Sequence, residues 1–121
     1  MLKVKSVFKN NSKIPVKYTI DGRGVSPPFA ISNIPMESRN LTIYIYDPDA
    51  NNFVHLNEVI PLTSSIPEGY FKKYIPMSPP EGTHEYIFRV VATGIYGRKV
   101  DEGVLVGKYK RKKKWIFQRI R

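Results

Sequence analysis

The sequence predicts an all-β domain, built as a sandwich or a barrel. Apolar segments with strand periodicity recur along the chain, and clusters of proline and glycine separate them about every 8 to 12 residues. No segment before residue 98 carries the apolar stripe of an amphipathic helix. A chain of 121 residues with 41% hydrophobic residues is long enough for one such domain and too short for two.

Two segments carry the clearest strand signals. In residues 41–46, Leu41, Ile43 and Ile45 alternate with polar and aromatic residues, which places the aliphatic side chains on one face. Residues 85–92 are β-branched, aromatic and almost continuously hydrophobic, as expected for a central strand that is covered on both faces. Weaker patterns predict five further strands, at residues 2–8, 16–20, 29–31, 53–60 and 104–109.

The composition excludes several classes of protein. No apolar run approaches the roughly 20 residues of a membrane-spanning helix. The N-terminus has lysines within its apolar stretch and lacks a cleavage site of small residues, so it does not predict a secretory signal. The chain has no cysteine, which excludes disulfides, thiolate metal sites and cysteine nucleophiles. These features predict a cytoplasmic protein.

The net charge of +10 is concentrated at one end of the chain. Residues 108–121 contain eight lysines and arginines and no acidic residue, whereas the preceding 107 residues contain 12 basic and 10 acidic residues. The predicted domain is therefore almost neutral, and the basic character belongs to the C-terminus.

Two carboxylates follow the predicted strand at 41–46. The strand runs directly into Asp47-Pro48-Asp49, where the proline restricts its φ angle to near −65°. Rigid strand ends often carry site residues. The alternative is that a carboxylate caps the turn by accepting backbone N–H bonds, as aspartate does in Asx-turns. We favour a site role for Asp47 and a capping role for Asp49.

The two histidines, His55 and His84, each lie beside a predicted strand. Two imidazoles and an aspartate are possible metal ligands, but the spacing of 29 residues carries no metal signal, so no metal site is predicted. Spacing alone favours structural hydrogen bonds for both histidines. No serine-hydrolase elbow, Walker loop or dinucleotide fingerprint is present, and no cofactor is predicted.

Several segments, taken together, are typical of one protein family. They are 14–19 with 21–22 and 26–28, 34–35 with 38–41, 46–50, His55, 78–88 and 105–111. The most specific are Asp-Pro-Asp-Ala at 47–50 and Pro-Pro-x-Gly-x-His-x-Tyr at 79–86. Across residues 8–111 the chain resembles the phosphatidylethanolamine-binding protein family, also called Raf kinase inhibitor-like, in its short bacterial and archaeal form.

The resemblance implies a two-sheet antiparallel β-sandwich in residues 1–111, with a small surface pocket for an anion such as a phosphate or a phospholipid headgroup. The residues that match the family's ligand site are Asp47, Asp49, His55, Pro79, His84 and Tyr86. The family's helix before the last strand is largely deleted, because residues 94–103 run directly into Val104.

These residue types suit a zwitterionic headgroup. An imidazole N–H and a tyrosine hydroxyl can donate to phosphate oxygens, while an aspartate can fix the tautomer of one histidine or accept from an ammonium group. Because histidine titrates near 6.5, anion binding should be stronger at pH 5 to 6 than at pH 8.

The sequence departs from the family pattern at three positions near the site. Asn51 replaces the proline that usually follows the acidic turn, Leu56 replaces an aromatic residue, and Glu85 replaces an arginine. A missing guanidinium removes the best bidentate donor to phosphate, unless residue 85 faces away from the site.

The chain continues beyond the resemblance as a basic extension, residues 112–121. Its lysines and tryptophan, with the residues just before it, suit contact with nucleic acid or an anionic membrane: Lys110, Arg111, Lys112, Lys113, Lys114, Trp115 and Arg119. Alternatively, the apolar residues 115–117 cover an open sheet edge while the lysines remain solvated.

The sequence therefore predicts a non-enzymatic binding protein with a pocket for a small anionic ligand. The resemblance adds a role as a regulator or inhibitor of a kinase or a protease. The alternative is an electrostatic binder of nucleic acid or membrane that acts through the C-terminus. Hydrolysis assisted by an Asp–His pair is disfavoured because no nucleophile or metal site is recognisable.

Overall fold

The structure is a computed structural model, and it describes residues 1–111. This part of the chain forms eight strands with three short 3-10 turns between them. In chain order the strands are β1 (Lys3–Lys5), β2 (Ser12–Lys13), β3 (Phe29–Ser32), β4 (Asn40–Asp47), β5 (Phe53–Pro61), β6 (Ser65–Ile66), β7 (Thr83–Thr93) and β8 (Lys99–Lys110).

The strands form two sheets, which confirms the predicted all-β class. One sheet has three strands in the order β1-β3-β6, and the other has five in the order β2-β8-β7-β4-β5. All pairings are antiparallel except that of the two-residue strand β2, which runs parallel to β8. Strand β7 is the middle strand of the larger sheet, as predicted. The expected burial of both its faces is wrong, because buried and partly exposed residues alternate along it.

The core lies between the two sheets. Leu41, Ile43 and Ile45 on β4 are at most 1% exposed, because the period of two turns all three towards the same side. Phe88 on β7 meets Phe29 of the smaller sheet with their ring centroids 6.0 Å apart. Aliphatic side chains on β4 and aromatic contacts between the sheets therefore hold the two sheets together.

One of the seven predicted strands is wrong, and two short strands were not predicted. Residues 16–20 were expected to be extended, but Val16–Tyr18 form a 3-10 turn after Pro15. The amide of Tyr18 donates to the carbonyl of Pro15 at 3.1 Å, and that of Thr19 to Val16 at 2.9 Å. Because Val16 and Tyr18 are two positions apart, the turn imitates a strand pattern. Strands β2 and β6, with two residues each, have no signal in the sequence.

No α-helix connects β7 and β8. The connection is a 3-10 turn, Ile95–Gly97, and β8 begins at Lys99. This agrees with the prediction that the family's helix is largely deleted. Within residues 1–111, no helix is long and apolar enough to cross a membrane.

Candidate ligand pocket

The predicted site residues converge where β4 ends and β7 begins. The two strands pair antiparallel with Tyr46 opposite Ile87, so the end of β4 lies beside the start of β7. Nδ1 of His84 lies 2.6 Å from Oδ2 of Asp47, a hydrogen bond between residues 37 positions apart. Both side chains are largely buried, with 12% and 3% of their surfaces exposed. A carboxylate can only accept here, so Nδ1 of His84 carries the proton.

The acidic turn is held by its own hydrogen bonds. Asp47 caps the 3-10 turn Pro48–Ala50 through Oδ1, which accepts from the amide of Asp49 at 2.8 Å. Oδ2 of Asp49 accepts from the amide of Glu85 at 2.9 Å. The expected capping role of Asp49 is therefore wrong: Asp47 caps the turn, and Asp49 instead accepts from the backbone at the start of β7.

A β-bulge places the first histidine. Ile45 pairs with Leu56 but Tyr46 pairs with Val54, so His55 is an extra residue without a partner on β4. Two consecutive residues of β5, His55 and Leu56, are consequently both buried. Strict alternation would turn one of them to solvent.

His55 is oriented by the backbone of a neighbouring segment. Its Nδ1 donates to the carbonyl of Ile75 at 2.7 Å, which leaves Nε2 as the available nitrogen. Burial lowers the pKa of His55 below its ordinary value, because desolvation outweighs the hydrogen bond to Ile75 and the charge of Asp47. The imidazole is therefore neutral near pH 7, and Nε2 gains a proton only in more acidic solution.

Tyr86 lies between the two histidines. Its ring centroid is 5.4 Å from that of His55 and 6.3 Å from that of His84. The side chain is fully buried, yet its hydroxyl has no hydrogen-bond partner among residues 1–111. Burial, with the nearby charges of Asp47 and Asp49, raises the pKa of Tyr86, so the hydroxyl stays protonated.

A cavity of about 280 Å³ opens among these side chains. Its lining includes four of the six predicted site residues, Asp47, His55, Pro79 and Tyr86. The other two, Asp49 and His84, do not line it. Asp49 accepts from the backbone of β7, and His84 donates to the carboxylate of Asp47.

The pocket also has apolar walls that sequence reasoning missed. They are contributed by Ala50, Phe53, Ile75 and Pro76. Phe53 precedes His55 by two residues on a strand. Because residues two apart face the same side of a strand, the sequence could have predicted that Phe53 lies beside His55 in the pocket. Ile75 and Pro76 carried no signal, because they lie outside every predicted strand and reach His55 only through the folded chain.

The replaced residues of the family pattern do not enter the pocket. Glu85 is exposed, and its register partner on β8 is Lys108. Leu56 is 3% exposed and belongs to the hydrophobic core. The carboxylate of Glu85 is thus on the opposite side of β7 from the buried Tyr86, and it adds no repulsion inside the cavity.

Asp47, Asp49 and His84 are also the described residues closest to a metal-binding arrangement. One ligand atom from each lies within 4.8 Å of the others. All three side chains already bond to one another or to backbone amides, which accounts for the cluster as a hydrogen-bonded support.

Only part of the predicted basic surface lies within the described residues. Lys110 ends β8, and Nε of Arg111 lies 4.0 Å from Oδ1 of Asp21. The predictions for Lys112, Lys113, Lys114, Trp115 and Arg119 fall outside residues 1–111.

Known proteins resemble this chain in sequence. A UPF0098 protein of Archaeoglobus fulgidus is 35% identical over 113 residues, which cover 75% of this chain and 39% of that protein. A UPF0098 protein of Pyrococcus horikoshii is 32% identical over an alignment of 153 positions, which covers 92% of this chain and 77% of that protein. The chain thus spans less than half of the Archaeoglobus relative.

The chain is also similar to solved structures in fold, and it matches a family model in sequence. The crystal structure of a phosphatidylethanolamine-binding protein homologue, CT736 of Chlamydia trachomatis, superposes with a TM-score of 0.83 at 24% identity, over 92% of this chain and 98% of that one. The crystal structure of E. coli YbcL superposes with a TM-score of 0.80 at 17% identity, over 92% of this chain and 99% of that one. The model that matches residues 4–115 is that of phosphatidylethanolamine-binding protein. With this match over most of its length, the chain belongs to the phosphatidylethanolamine-binding protein family.

Proposed function

We propose that the chain is a non-enzymatic binding protein whose pocket takes a small phosphate-bearing ligand of the phosphoethanolamine type. The cavity of about 280 Å³ is small for a ligand site, since such sites usually range from about 300 to 1,000 Å³. That size suits a headgroup better than a whole lipid.

The observation that carries the proposal is the hydroxyl of Tyr86. A buried hydroxyl without a hydrogen bond is costly, and native proteins rarely leave one unsatisfied. This hydroxyl is fully buried and has no partner among the described residues, and Tyr86 is one of the residues that line the cavity. A ligand oxygen in the cavity would satisfy it.

The charges of the pocket favour a ligand that carries both signs. Tyr86 donates at any physiological pH, and His55 becomes a second donor when Nε2 is protonated. The carboxylate of Asp47 would repel a simple anion but attract an ammonium group. A phosphodiester joined to an ethanolamine therefore fits better than a phosphate alone.

The test is a calorimetric titration with glycerophosphoethanolamine. Tyr86→Phe should abolish or strongly weaken binding while leaving the free energy of unfolding unchanged or slightly higher, because the hydroxyl makes no hydrogen bond in the free protein. Tyr109→Phe is the matched control. Tyr109 is as deeply buried, but its hydroxyl donates to Asp21, so its removal should cost about 1 to 3 kcal/mol of stability and leave binding intact. Equal affinities of wild type and Tyr86→Phe would refute the proposal.

Binding should also strengthen in acid. Glycerophosphoethanolamine keeps its charges between pH 8 and pH 5, so a change in affinity reports on the protein. Because the pKa of His55 is lowered in the free protein, affinity should continue to rise below pH 6.5. His55→Gln should remove this rise. A profile that is flat in the wild type would contradict a role for His55 in binding the phosphate.

A second candidate function is supported by the charge distribution alone. The eight basic residues within 108–121 suit electrostatic contact with nucleic acid or an anionic membrane. Regulation of a kinase or a protease stays a prediction from the family resemblance.

A further inference from the structure

A second depression of the described surface lies at the opposite end of the sandwich from the ligand pocket. It has a volume of about 700 Å³ and forms between the loop that precedes β4 and the loop that joins β7 to β8. The eight residues of β4 separate the two ends by roughly 23 Å, at about 3.3 Å per residue. We call this depression the loop site; its lining includes Met36, Ser38, Arg39, Ile95, Tyr96 and Arg98.

The loop before β4 is bonded to the end of β7, and the loop between β7 and β8 is closed by a hydrogen bond of its own. The amide of Arg39 donates to the carbonyl of Thr93 at 2.6 Å, and the amide of Gly94 donates to Arg98 at 2.7 Å. The hydroxyl of Thr93 also bonds to the side chain of Asn40. These bonds hold the depression in shape without a ligand.

The loop site displays large apolar side chains to solvent. Met36 is 99% exposed, Tyr96 is fully exposed and Ile95 is 54% exposed. Tyr96 has a φ angle of 61°, which is uncommon for a non-glycine residue and costs conformational energy. The fold thus maintains an aromatic side chain in solvent at an energetic cost, although it packs against nothing in residues 1–111.

The same depression contains polar groups without partners. Oγ of Ser38 is buried and makes no hydrogen bond to any described residue. Arg39 and Arg98 are exposed, and neither forms an ion pair within residues 1–111. One acidic residue, Glu37, also lines the depression, so the two guanidinium groups leave it with an excess positive charge.

We propose that the loop site binds a partner protein through a segment that carries carboxylate side chains next to large apolar ones. Tyrosine, methionine and arginine are among the residues enriched in protein interfaces, and all three are present here. The guanidinium groups supply bidentate donors for carboxylates, and Ser38 supplies one further hydrogen bond. A second copy of this chain is a poorer occupant, because each copy carries a net charge of +10.

The experiment uses the full chain labelled with ¹⁵N and three capped tetrapeptides. The first has two glutamates flanking a leucine and a phenylalanine, the second has lysines in place of the glutamates, and the third has serines in place of the apolar residues. The first peptide should shift the amide signals of residues 36–39 and 94–100 and leave those around Tyr86 unchanged. The second and third should produce much smaller shifts.

Matched variants test the two arginines. The double variant Arg39→Gln with Arg98→Gln should bind the first peptide roughly fivefold more weakly, since two exposed ion pairs are lost. Arg23→Gln removes one exposed positive charge outside the lining of the loop site and should bind like the wild type. Met36→Ser should also weaken binding, with the amide spectrum showing that each variant is folded.

Several outcomes would overturn the proposal. They are no shift at the loop site, equal shifts with the lysine peptide, or an equal loss of affinity in Arg23→Gln. Equal shifts at the same amides from inorganic phosphate or a single-stranded oligonucleotide would assign the loop site to phosphate instead. None of these results bears on the ligand pocket, because the two sites share no lining residue.

Discussion

Two buried polar side chains, His55 and Tyr86, define the pocket at the scale of single residues. Each is buried for a different reason. His55 is turned inward by the bulge of β5, and Tyr86 faces inward because it follows the alternation of β7. His55 has one nitrogen bonded to Ile75, whereas the Tyr86 hydroxyl has no described partner. Both residues line the cavity, which is where the proposed ligand would meet them.

His55 should make the protein less stable in acid. Because burial lowers its pKa in the folded state, the unfolded chain binds more protons between that lowered pKa and about 6.5. Stability from this group is present above pH 6.5 and is lost as the pH falls through this window. Urea unfolding at pH 7.5 and pH 5 should show the loss in the wild type, and a smaller loss in His55→Gln. Identical losses in both proteins would show that His55 does not contribute.

At the scale of elements, the connection from β4 to β5 shows why the acidic turn departs from the family pattern. Asn51 and Asn52 adopt φ angles of 53° and 59°, a left-handed conformation that asparagine tolerates better than most residues. These two residues join the capped 3-10 turn to β5 with nothing in between. A proline, the family's usual residue at position 51, cannot adopt a positive φ angle.

Restoring that proline should therefore destabilise the protein. We expect Asn51→Pro to lower the free energy of unfolding by more than about 1 kcal/mol, because its ring holds φ near −65°. Asn51→Gly is the matched control and should be neutral or slightly stabilising, since glycine populates positive φ freely. Urea denaturation measures both. A proline variant as stable as the wild type would mean that the connection can rearrange.

At the scale of the whole molecule, the sandwich separates two sites of different chemistry. The ligand pocket lies at one end of β4 and β7 and the loop site at the other, while in the sequence the basic residues are concentrated in 108–121. Residues 1–107 are nearly balanced in charge, so long-range attraction of polyanions depends on residues 108–121.

Charge removal separates the second candidate function from the first. If the basic end binds a single-stranded oligonucleotide, replacing Lys112, Lys113 and Lys114 by glutamine should reduce the slope of log affinity against log salt concentration by about 2, since each phosphate contact contributes about 0.7. Fluorescence anisotropy across a salt series measures this slope. The affinity for glycerophosphoethanolamine should not change. An unchanged slope would exclude these lysines from nucleic-acid contact.

The sequence by itself determined the all-β class, the two long central strands and most of the residues that meet at the candidate pocket. Alternation along β4 and continuous hydrophobicity along β7 are properties of neighbouring residues, so they can be read without knowing the fold. The motifs at 47–50 and 79–86 likewise identified the residues that meet at the pocket. The motifs could not show which of these residues line the cavity and which, such as Asp49 and His84, only support its lining through hydrogen bonds.

The tertiary structure decided the rest, because it depends on contacts between distant segments. The bulge at His55 exists only relative to the register of β4, and Ile75 reaches that histidine from 20 positions away. The 3-10 turn at Val16–Tyr18 imitated a strand, since local periodicity cannot show where backbone hydrogen bonds are made. The loop site depends on two loops that strand pairing brings together, and residues with no shared pattern in the sequence therefore form one surface.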